Sequence, residues 1–134
     1  MRILSNLDNR HLLQLHKLYQ KEWWTEKRTL EETKHVVKNS QIVIAMVDNE
    51  NRLQAFVRVL TDYLFKALIF DVIVSDEHRG KGLGKELMNL VQNHSELQEV
   101  KHFELYCLPK MVGFYEAFGF TGELENLVFM RKRR

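Results

Sequence analysis

The stretch Phe70–Lys85, FDVIVSDEHRGKGLGK, constrains the fold of this chain more than any other. It joins an apolar strand, predicted over Ala67–Val74, to an amphipathic helix through a polar turn and three alternating glycines. Glycine allows backbone angles that other residues resist. The first helical turn carries N–H groups without a partner inside the helix and the positive end of the helix dipole. The stretch therefore predicts an anion site, usually for a phosphate, with Arg79, Lys81 and Lys85 supplying positive charge.

Length and charge restrict the class of protein. The chain has 134 residues, which predicts one domain over residues 1–134. The net charge of +2 is too small to indicate nucleic acid as a partner, and no apolar run approaches the roughly 20 residues of a membrane helix. One cysteine, Cys107, and the lack of a signal-peptide pattern favour a cytoplasmic protein. His11 and His16 are five residues apart on a helix and share no face, so no metal site is predicted.

Periodicity and capping signals predict ten elements in the order β-α-α-β-β-β-α-β-α-β. Asp8 and Thr29 are the predicted N-caps of the first two helices. Hairpins join the early strands and a crossover joins the strands that flank the glycine helix, so the sheet should be mixed. The other predicted elements are strands Arg2–Ser5, Ile42–Val47, Arg52–Leu60, His102–Cys107 and Asn126–Met130, the glycine helix to about His94, and a short helix over Met111–Phe118.

Alternation along two of these strands predicts where side chains point. On the strand Arg52–Leu60, Gln54 and Arg58 lie on the polar face, opposite the apolar residues. On the strand His102–Cys107, the thiol of Cys107 lies on the apolar face, so a buried core thiol is predicted rather than a nucleophile.

Two motifs resemble a known family. Arg79-x-x-Gly82-x-Gly84, after the strand residues Val72-Ile73-Val74, resembles the acetyl-CoA signature of the GCN5-related N-acetyltransferases, the GNAT superfamily. The segment Phe114–Phe120, FYEAFGF, is similar to the second motif of that family, a helix of the form FYxxxGF. The resemblance implies an α/β fold with a central mixed, mostly antiparallel sheet flanked by helices. It also implies an acetyl-CoA-dependent N-acetyltransferase that needs no metal.

The resemblance implies which residues hold acetyl-CoA as the cosubstrate. The backbone of Val72, Ile73 and Val74 would pair with the pantetheine amides like an added strand, and the N–H near Val74 would polarise the thioester carbonyl. Tyr115 would protonate the departing thiolate, and transfer would be direct, without an acyl-enzyme. The CoA pyrophosphate would bind the loop made by Arg79, Gly80, Lys81, Gly82, Leu83, Gly84 and Lys85.

The group that accepts the proton of the attacking amine is left open. Asp71 is the first candidate, because some amino-sugar acetyltransferases of the family carry an acidic residue at the matching place. Glu104, His102 and a chain of water molecules are the alternatives. A carboxylate that bonds the backbone is the simpler interpretation of Asp71, and a solvated strand face is the simpler one for the other two. Met111 stands where many members have an asparagine that supports the pantetheine arm, so that contact is not predicted here.

The acceptor is predicted only as the primary amine of a small molecule, an amino sugar or a peptide. Trp23 and Trp24 lie between two helices, in a region that often walls the acceptor pocket of the family. A non-catalytic acyl-CoA-binding or sensing module is the alternative function, and an intact Tyr115 argues against it. A dinucleotide enzyme is disfavoured because the third glycine comes one residue too early for GxGxxG. Strand edges near the last predicted strand make a homodimer a further prediction.

Overall fold

A computed structural model describes all 134 residues as a five-stranded sheet with helices on both faces. The strands lie in the order β1-β2-β3-β4-β5 and are antiparallel, except that β4 and β5 are parallel. The predicted α/β fold class with a mixed sheet is therefore confirmed. None of the helices combines the length and apolar character needed to cross a membrane. The strands are β1 (Arg2–Leu4), β2 (Ile42–Val47), β3 (Leu53–Thr61), β4 (Lys66–Val74) and β5 (His102–Glu104), and the helices are α1 (Asn9–Gln20), α2 (Leu30–Lys38), α3 (Leu83–Gln92) and α4 (Val112–Glu116).

Side-chain caps fix where α1 and α2 begin, at the residues that the sequence predicts. Oδ1 of Asp8 accepts a hydrogen bond from the N–H of His11 at 2.9 Å. Oγ1 of Thr29 accepts one from the N–H of Glu32 at 3.0 Å, and the carboxylate of Glu32 accepts the N–H of Thr29 in return. These contacts satisfy donors that have no partner inside the helix.

The core has one apolar cluster on each face of the sheet. The first lies under α3 and includes Leu87 and Val91, and the second lies under α1 and includes Leu15 and Tyr19. With both faces covered, β2 is buried along its whole length, as predicted. The polar face of β3 is buried as well, so Arg58 needs a partner inside the protein.

The parallel strands β4 and β5 part soon after they meet. They pair only over Lys66–Leu68 and His102–Glu104, so the second half of β4 has no neighbour on its β5 side. The prediction of a strand to Cys107 is wrong, because β5 ends three residues earlier, where the chains diverge. Once outside the sheet Cys107 is exposed, which corrects the prediction of a buried thiol. The divergence leaves a wedge at the carboxyl ends of the two strands, where α/β sheets bind ligands.

A bulge in β4 lies where this open half begins. Arg58 is paired with Phe70 and Phe56 with Ile73, so Asp71 and Val72 together oppose a single residue of β3. Asp71 has a φ of 58°, a left-handed conformation that is uncommon for a residue other than glycine. The bulge bends the strand and turns the side chains of Phe70 and Asp71 toward the same face.

The carboxylate of Asp71 is the centre of a buried cluster that we call the Asp71 cluster, formed by Tyr19, Arg28, Arg58 and Asp71. Its Oδ2 accepts hydrogen bonds from the hydroxyl of Tyr19 at 2.8 Å, Nη1 of Arg28 at 2.7 Å and Nε of Arg58 at 2.7 Å. Burial by itself would raise the pKa of Asp71, but the two guanidinium groups outweigh it and hold that pKa below its ordinary value.

The C-terminal segment differs from its prediction. α4 ends at a Schellman motif, in which the N–H of Gly119 bonds Glu116 and the N–H of Phe120 bonds Tyr115, at 2.9 and 3.3 Å. Gly119 supplies the left-handed angle, with φ at 92°, as predicted. The predicted strand Asn126–Met130 does not form, and these residues are exposed. The apolar pattern is present, but a strand also needs partner backbone, and β5 is only three residues long.

The two glycines of this segment should respond in opposite directions to the same substitution. Gly119→Ala places a Cβ in a left-handed conformation and should lower the free energy of unfolding by about 1–2 kcal/mol. Gly113→Ala lies inside α4 with open space around its Cβ and should raise it by about 0.5–1 kcal/mol. Urea unfolding followed by circular dichroism measures both, and equal effects would contradict the assigned C-terminal cap.

Asp71→Asn should destabilise the protein in a pH-dependent manner. The variant leaves one buried arginine, Arg58, and one partly buried arginine, Arg28, without a counter-ion, which costs about 3 kcal/mol at neutral pH. The folded pKa lies below the unfolded value of about 4, so this contribution is complete above about pH 4 and declines as the pH falls further. Urea unfolding from about pH 7 to pH 3 should therefore show the two proteins converging in acid. Glu26→Gln, at an exposed carboxylate, is the control, and a pH-independent difference would contradict the pKa assignment.

Candidate active site

The glycine loop exposes a row of unpaired donors. Gly80 and Gly82 have left-handed φ angles of 75° and 84°, and Gly82 is the N-cap of α3. The N–H groups of residues 80–85 consequently have no hydrogen-bond partner in the chain, and the first bonded donor is Glu86, which reaches the carbonyl of Gly82 at 3.0 Å. Six consecutive N–H groups at the positive end of a helix dipole can bind a phosphate-like anion.

The three cations of the loop are not equivalent. Lys81 and Lys85 are exposed and form no ion pair, so their charges are available to an anion. Arg79 is engaged with the carboxylate of Glu22, with Oδ1 of Asp76 at 3.3 Å and with the carbonyl of Val74 at 3.3 Å. The sequence analysis assigned Arg79 to the anion, whereas the structure shows it joining the loop to the end of β4.

The open half of β4 lies directly before this loop. Ile73 and Val74 pair with β3 on one side, and no strand covers the other side. An extended ligand can therefore add to this edge through backbone hydrogen bonds, as a peptide does in β-augmentation. The structure thus brings together the two groups of residues that the sequence assigned to the acetyl donor, the strand residues 72–74 and the loop residues 79–85.

Tyr115 lies on α4, which packs against the start of α3. A Cβ built on Gly84 would lie 3.5 Å from the ring of Phe114, so the small residue lets the two helices approach. The ring of Tyr115 contacts those of Phe114 and Phe120, with centroids 5.0 and 6.1 Å away. Burial raises the pKa of Tyr115 to about 12, with a smaller contribution from the nearby thiol of Cys107. The hydroxyl therefore stays protonated at neutral pH and can donate a hydrogen bond.

The candidate bases lie in different surroundings. Asp71 accepts three short hydrogen bonds and its pKa is lowered, so the geometry favours a positioning role over proton transfer. Glu104 forms an ion pair with Lys66 at 2.9 Å. His102 and Glu104 pair with the start of β4, and Glu104 is opposite Leu68, about 13 Å along the strand from Val72 at 3.3 Å per residue. Nowhere does the structure bring three or more His, Cys, Asp or Glu side chains together as a metal site.

Phe70, Tyr106 and Phe129 form an aromatic surface next to the bulge, on the face of the sheet toward which Asp71 points. The rings of Phe70 and Tyr106 meet edge to face, with centroids 6.0 Å apart and an interplanar angle of 77°, and the centroid of Phe129 lies 5.5 Å from that of Tyr106. The guanidinium of Arg58 lies 4.9 Å from the ring of Phe70, and that of Arg131 lies 5.3 Å from Tyr106. Sequence reasoning missed this surface, because no local signal joins residues as far apart as Phe70, Tyr106 and Phe129.

Trp23 and Trp24 lie on the turn between α1 and α2. Their exposed fractions are 67% and 40%, so neither is a core residue. The segment that carries them ends at Arg28, which reaches Asp71 on the same face of the sheet as Phe70. Tryptophans and the aromatic surface are thus both accessible on the α1–α2 side of β4.

Comparison with known proteins gives consistent matches. The model of the Acetyltransferase (GNAT) family matches residues 9–120. An uncharacterized N-acetyltransferase, ycf52, of Porphyra purpurea is 33% identical over 127 residues, which cover 92% of this chain and 72% of that protein. Serotonin N-acetyltransferase 2, chloroplastic, of Oryza sativa subsp. japonica is 28% identical over 114 residues, which cover 81% of this chain and 57% of that protein. A crystal structure from Xanthomonas campestris, described as belonging to the GNAT family, has a TM-score of 0.81 at 31% identity and covers 100% of this chain and 94% of that one.

These matches extend over both motifs of the sequence. The family model includes the glycine loop and the FYxxxGF helix, and the structural likeness includes all five strands. The chain is an N-acetyltransferase and belongs to the Acetyltransferase (GNAT) family, as its two motifs predicted.

Proposed function

We propose that this protein transfers the acetyl group of acetyl-CoA directly to the primary amine of a small aromatic molecule. The observation that carries the donor assignment is the row of six unpaired N–H groups at residues 80–85, next to the open edge of β4. The row suits the pyrophosphate, and the edge suits the amides of the pantetheine arm. Lys81 and Lys85 add charge, whereas Arg79 keeps the loop attached to β4.

The reaction forms a C–N bond and breaks a C–S bond. The neutral amine attacks the thioester carbonyl, the nitrogen loses its proton to water, and the thiolate leaves. Tyr115, with a pKa of about 12, lies about 3.5 units above an ordinary thiol, so complete proton transfer to the thiolate is unfavourable. Its role is to donate a hydrogen bond that stabilises the charge developing on sulfur, and solvent completes the protonation.

The attacking amine must be neutral, and the Asp71 cluster contributes to this without acting as a base. Two guanidinium groups share one carboxylate, which leaves a net positive charge on the face of the sheet that α1 and α2 cover. We call this the acceptor face. A nearby like charge lowers the pKa of an ammonium group. An amine bound on this face therefore loses its proton to water more readily than it does in bulk solution.

Two observations support an aromatic acceptor. Phe70, Tyr106 and Phe129 form an accessible aromatic surface on the acceptor side, and the two tryptophans lie on the same side. The rice relative is named for serotonin, an aromatic amine, which is compatible with such a surface. Flat aromatic walls bury apolar rings and pack against other aromatic rings.

The proposed activity is tested by release of free thiol from acetyl-CoA with tryptamine, glucosamine 6-phosphate and a peptide with a free N-terminus. Tryptamine should give the highest kcat/KM.

Tyr115→Phe should lower kcat about 100-fold and change the Kd for CoA less than about twofold, because only the leaving group loses a donor. CoA binding without thiol release by any amine would instead favour a sensing module.

Charge reversal on the loop should weaken donor binding through the phosphates alone. Lys81→Glu together with Lys85→Glu should raise the Kd for CoA at least about tenfold and leave the weak binding of pantetheine unchanged. Lys38→Glu, at the end of α2 on the opposite face of the sheet, is the matched control. Calorimetry measures all three proteins, and an equal loss for CoA and pantetheine would contradict the assigned phosphate site.

A further inference from the structure

We propose that residues 22–28, which we call the strap, are held by an ionic link at each end along residues 72–74 of β4, which we call the donor strand. The carboxylate of Glu22 binds the guanidinium of Arg79, and Arg28 binds Asp71 at 2.7 Å. Asp71 directly precedes the donor strand, and Nε of Arg79 donates to the carbonyl of Val74 at its end. The two links therefore fasten the strap to the two ends of the donor strand.

The strap between these links is a folded unit rather than a loose connection. The N–H of Thr25 donates to the carbonyl of Glu22 at 3.0 Å, and the N–H of Arg28 donates to the carbonyl of Thr25 at 3.0 Å. The hydroxyl of Thr25 is buried and donates to the carbonyl of Tyr19 at 2.7 Å. Successive turns with a buried anchor leave few internal degrees of freedom, so a change at one end of the strap moves the residues between that end and Thr25 together.

The two tryptophans between the links face outward, in contrast to Thr25. Trp23 and Trp24 are the only tryptophans of the chain, and both are exposed. Two exposed aromatic rings on a segment that is fastened at both ends give no folding benefit that the core requires. A positioning role explains the arrangement: Glu22 and Arg28 act through the tryptophans, and they set the acceptor-side wall relative to the thioester. This role rests on the proposed function.

The two links differ in what they contribute to stability. Arg28 and Asp71 belong to the Asp71 cluster, whose disruption lowers global stability. The side chain of Arg79 is 54% exposed and that of Glu22 is 20% exposed, so solvent screens this pair and its loss changes global stability little. Glu22→Ala is therefore the variant that releases the strap without unfolding the protein.

Time-resolved tryptophan anisotropy tests the strap directly, since every tryptophan signal comes from it. Glu22→Ala should at least double the amplitude of the fast depolarisation while the midpoint of thermal unfolding stays nearly constant. Glu26→Ala removes an exposed carboxylate from the same segment that has no ionic partner, and it should behave like the wild type. Unchanged anisotropy in Glu22→Ala would overturn the strap.

Steady-state kinetics with the best amine of the panel test the positioning role. Glu22→Ala should raise the KM for the amine about tenfold and leave the KM for acetyl-CoA within about twofold. The reason is that displaced tryptophans of the strap affect only the binding and orientation of the amine. A rise in mobility with an unchanged KM for the amine would overturn the positioning role. Absence of turnover in the wild type would overturn the proposed function instead, and the anisotropy would still decide whether Glu22 fixes the strap.

Discussion

A single carboxylate oxygen, Oδ2 of Asp71, accepts hydrogen bonds from α1, from the segment after it and from β3. An aspartate with a φ of 58° is a costly conformation unless its surroundings over-determine it, and three donors within 2.8 Å do so. The bulge that Asp71 forms bends β4 at the point where the half without a β5 neighbour begins. Without this bend the wedge, the open edge and the position of the glycine loop would all change.

Two surfaces of different character lie on either side of the second half of β4. At the glycine loop, the unpaired N–H groups of residues 80–85 and two lysines form a surface for a polyanion. On the face of the sheet that α1 and α2 cover, aromatic rings and tryptophans form an apolar surface. In the proposed reaction, acetyl-CoA and the amine would approach residues 72–74 of β4 from different sides. Direct transfer in a ternary complex needs this geometry.

Sequence reasoning succeeded where the signal is local. Asp8, Thr29 and Gly119 each satisfy backbone groups within a few residues, and so these helix ends were predictable. It failed where the outcome depends on distant partners. The three donors to Asp71 lie 13, 43 and 52 residues away, and no spacing rule connects them. The early end of β5, and with it the exposure of Cys107, likewise follows from how two strands diverge.

The net charge of the Asp71 cluster suggests how the proposed reaction can deprotonate the amine without a base supplied by the protein. A carboxylate that binds one arginine forms a neutral pair, but here a second arginine shares it, so one positive charge is left uncompensated. Arg58 is almost fully buried, whereas Arg28 is about a quarter exposed, so the charge is expressed mainly on the strap side. Screening by solvent is incomplete there, and the charge disfavours an ammonium group relative to the neutral amine. In the proposed reaction Asp71 would contribute through the two cations that it holds in place, and a lowered pKa, which would weaken a base, is what this role requires.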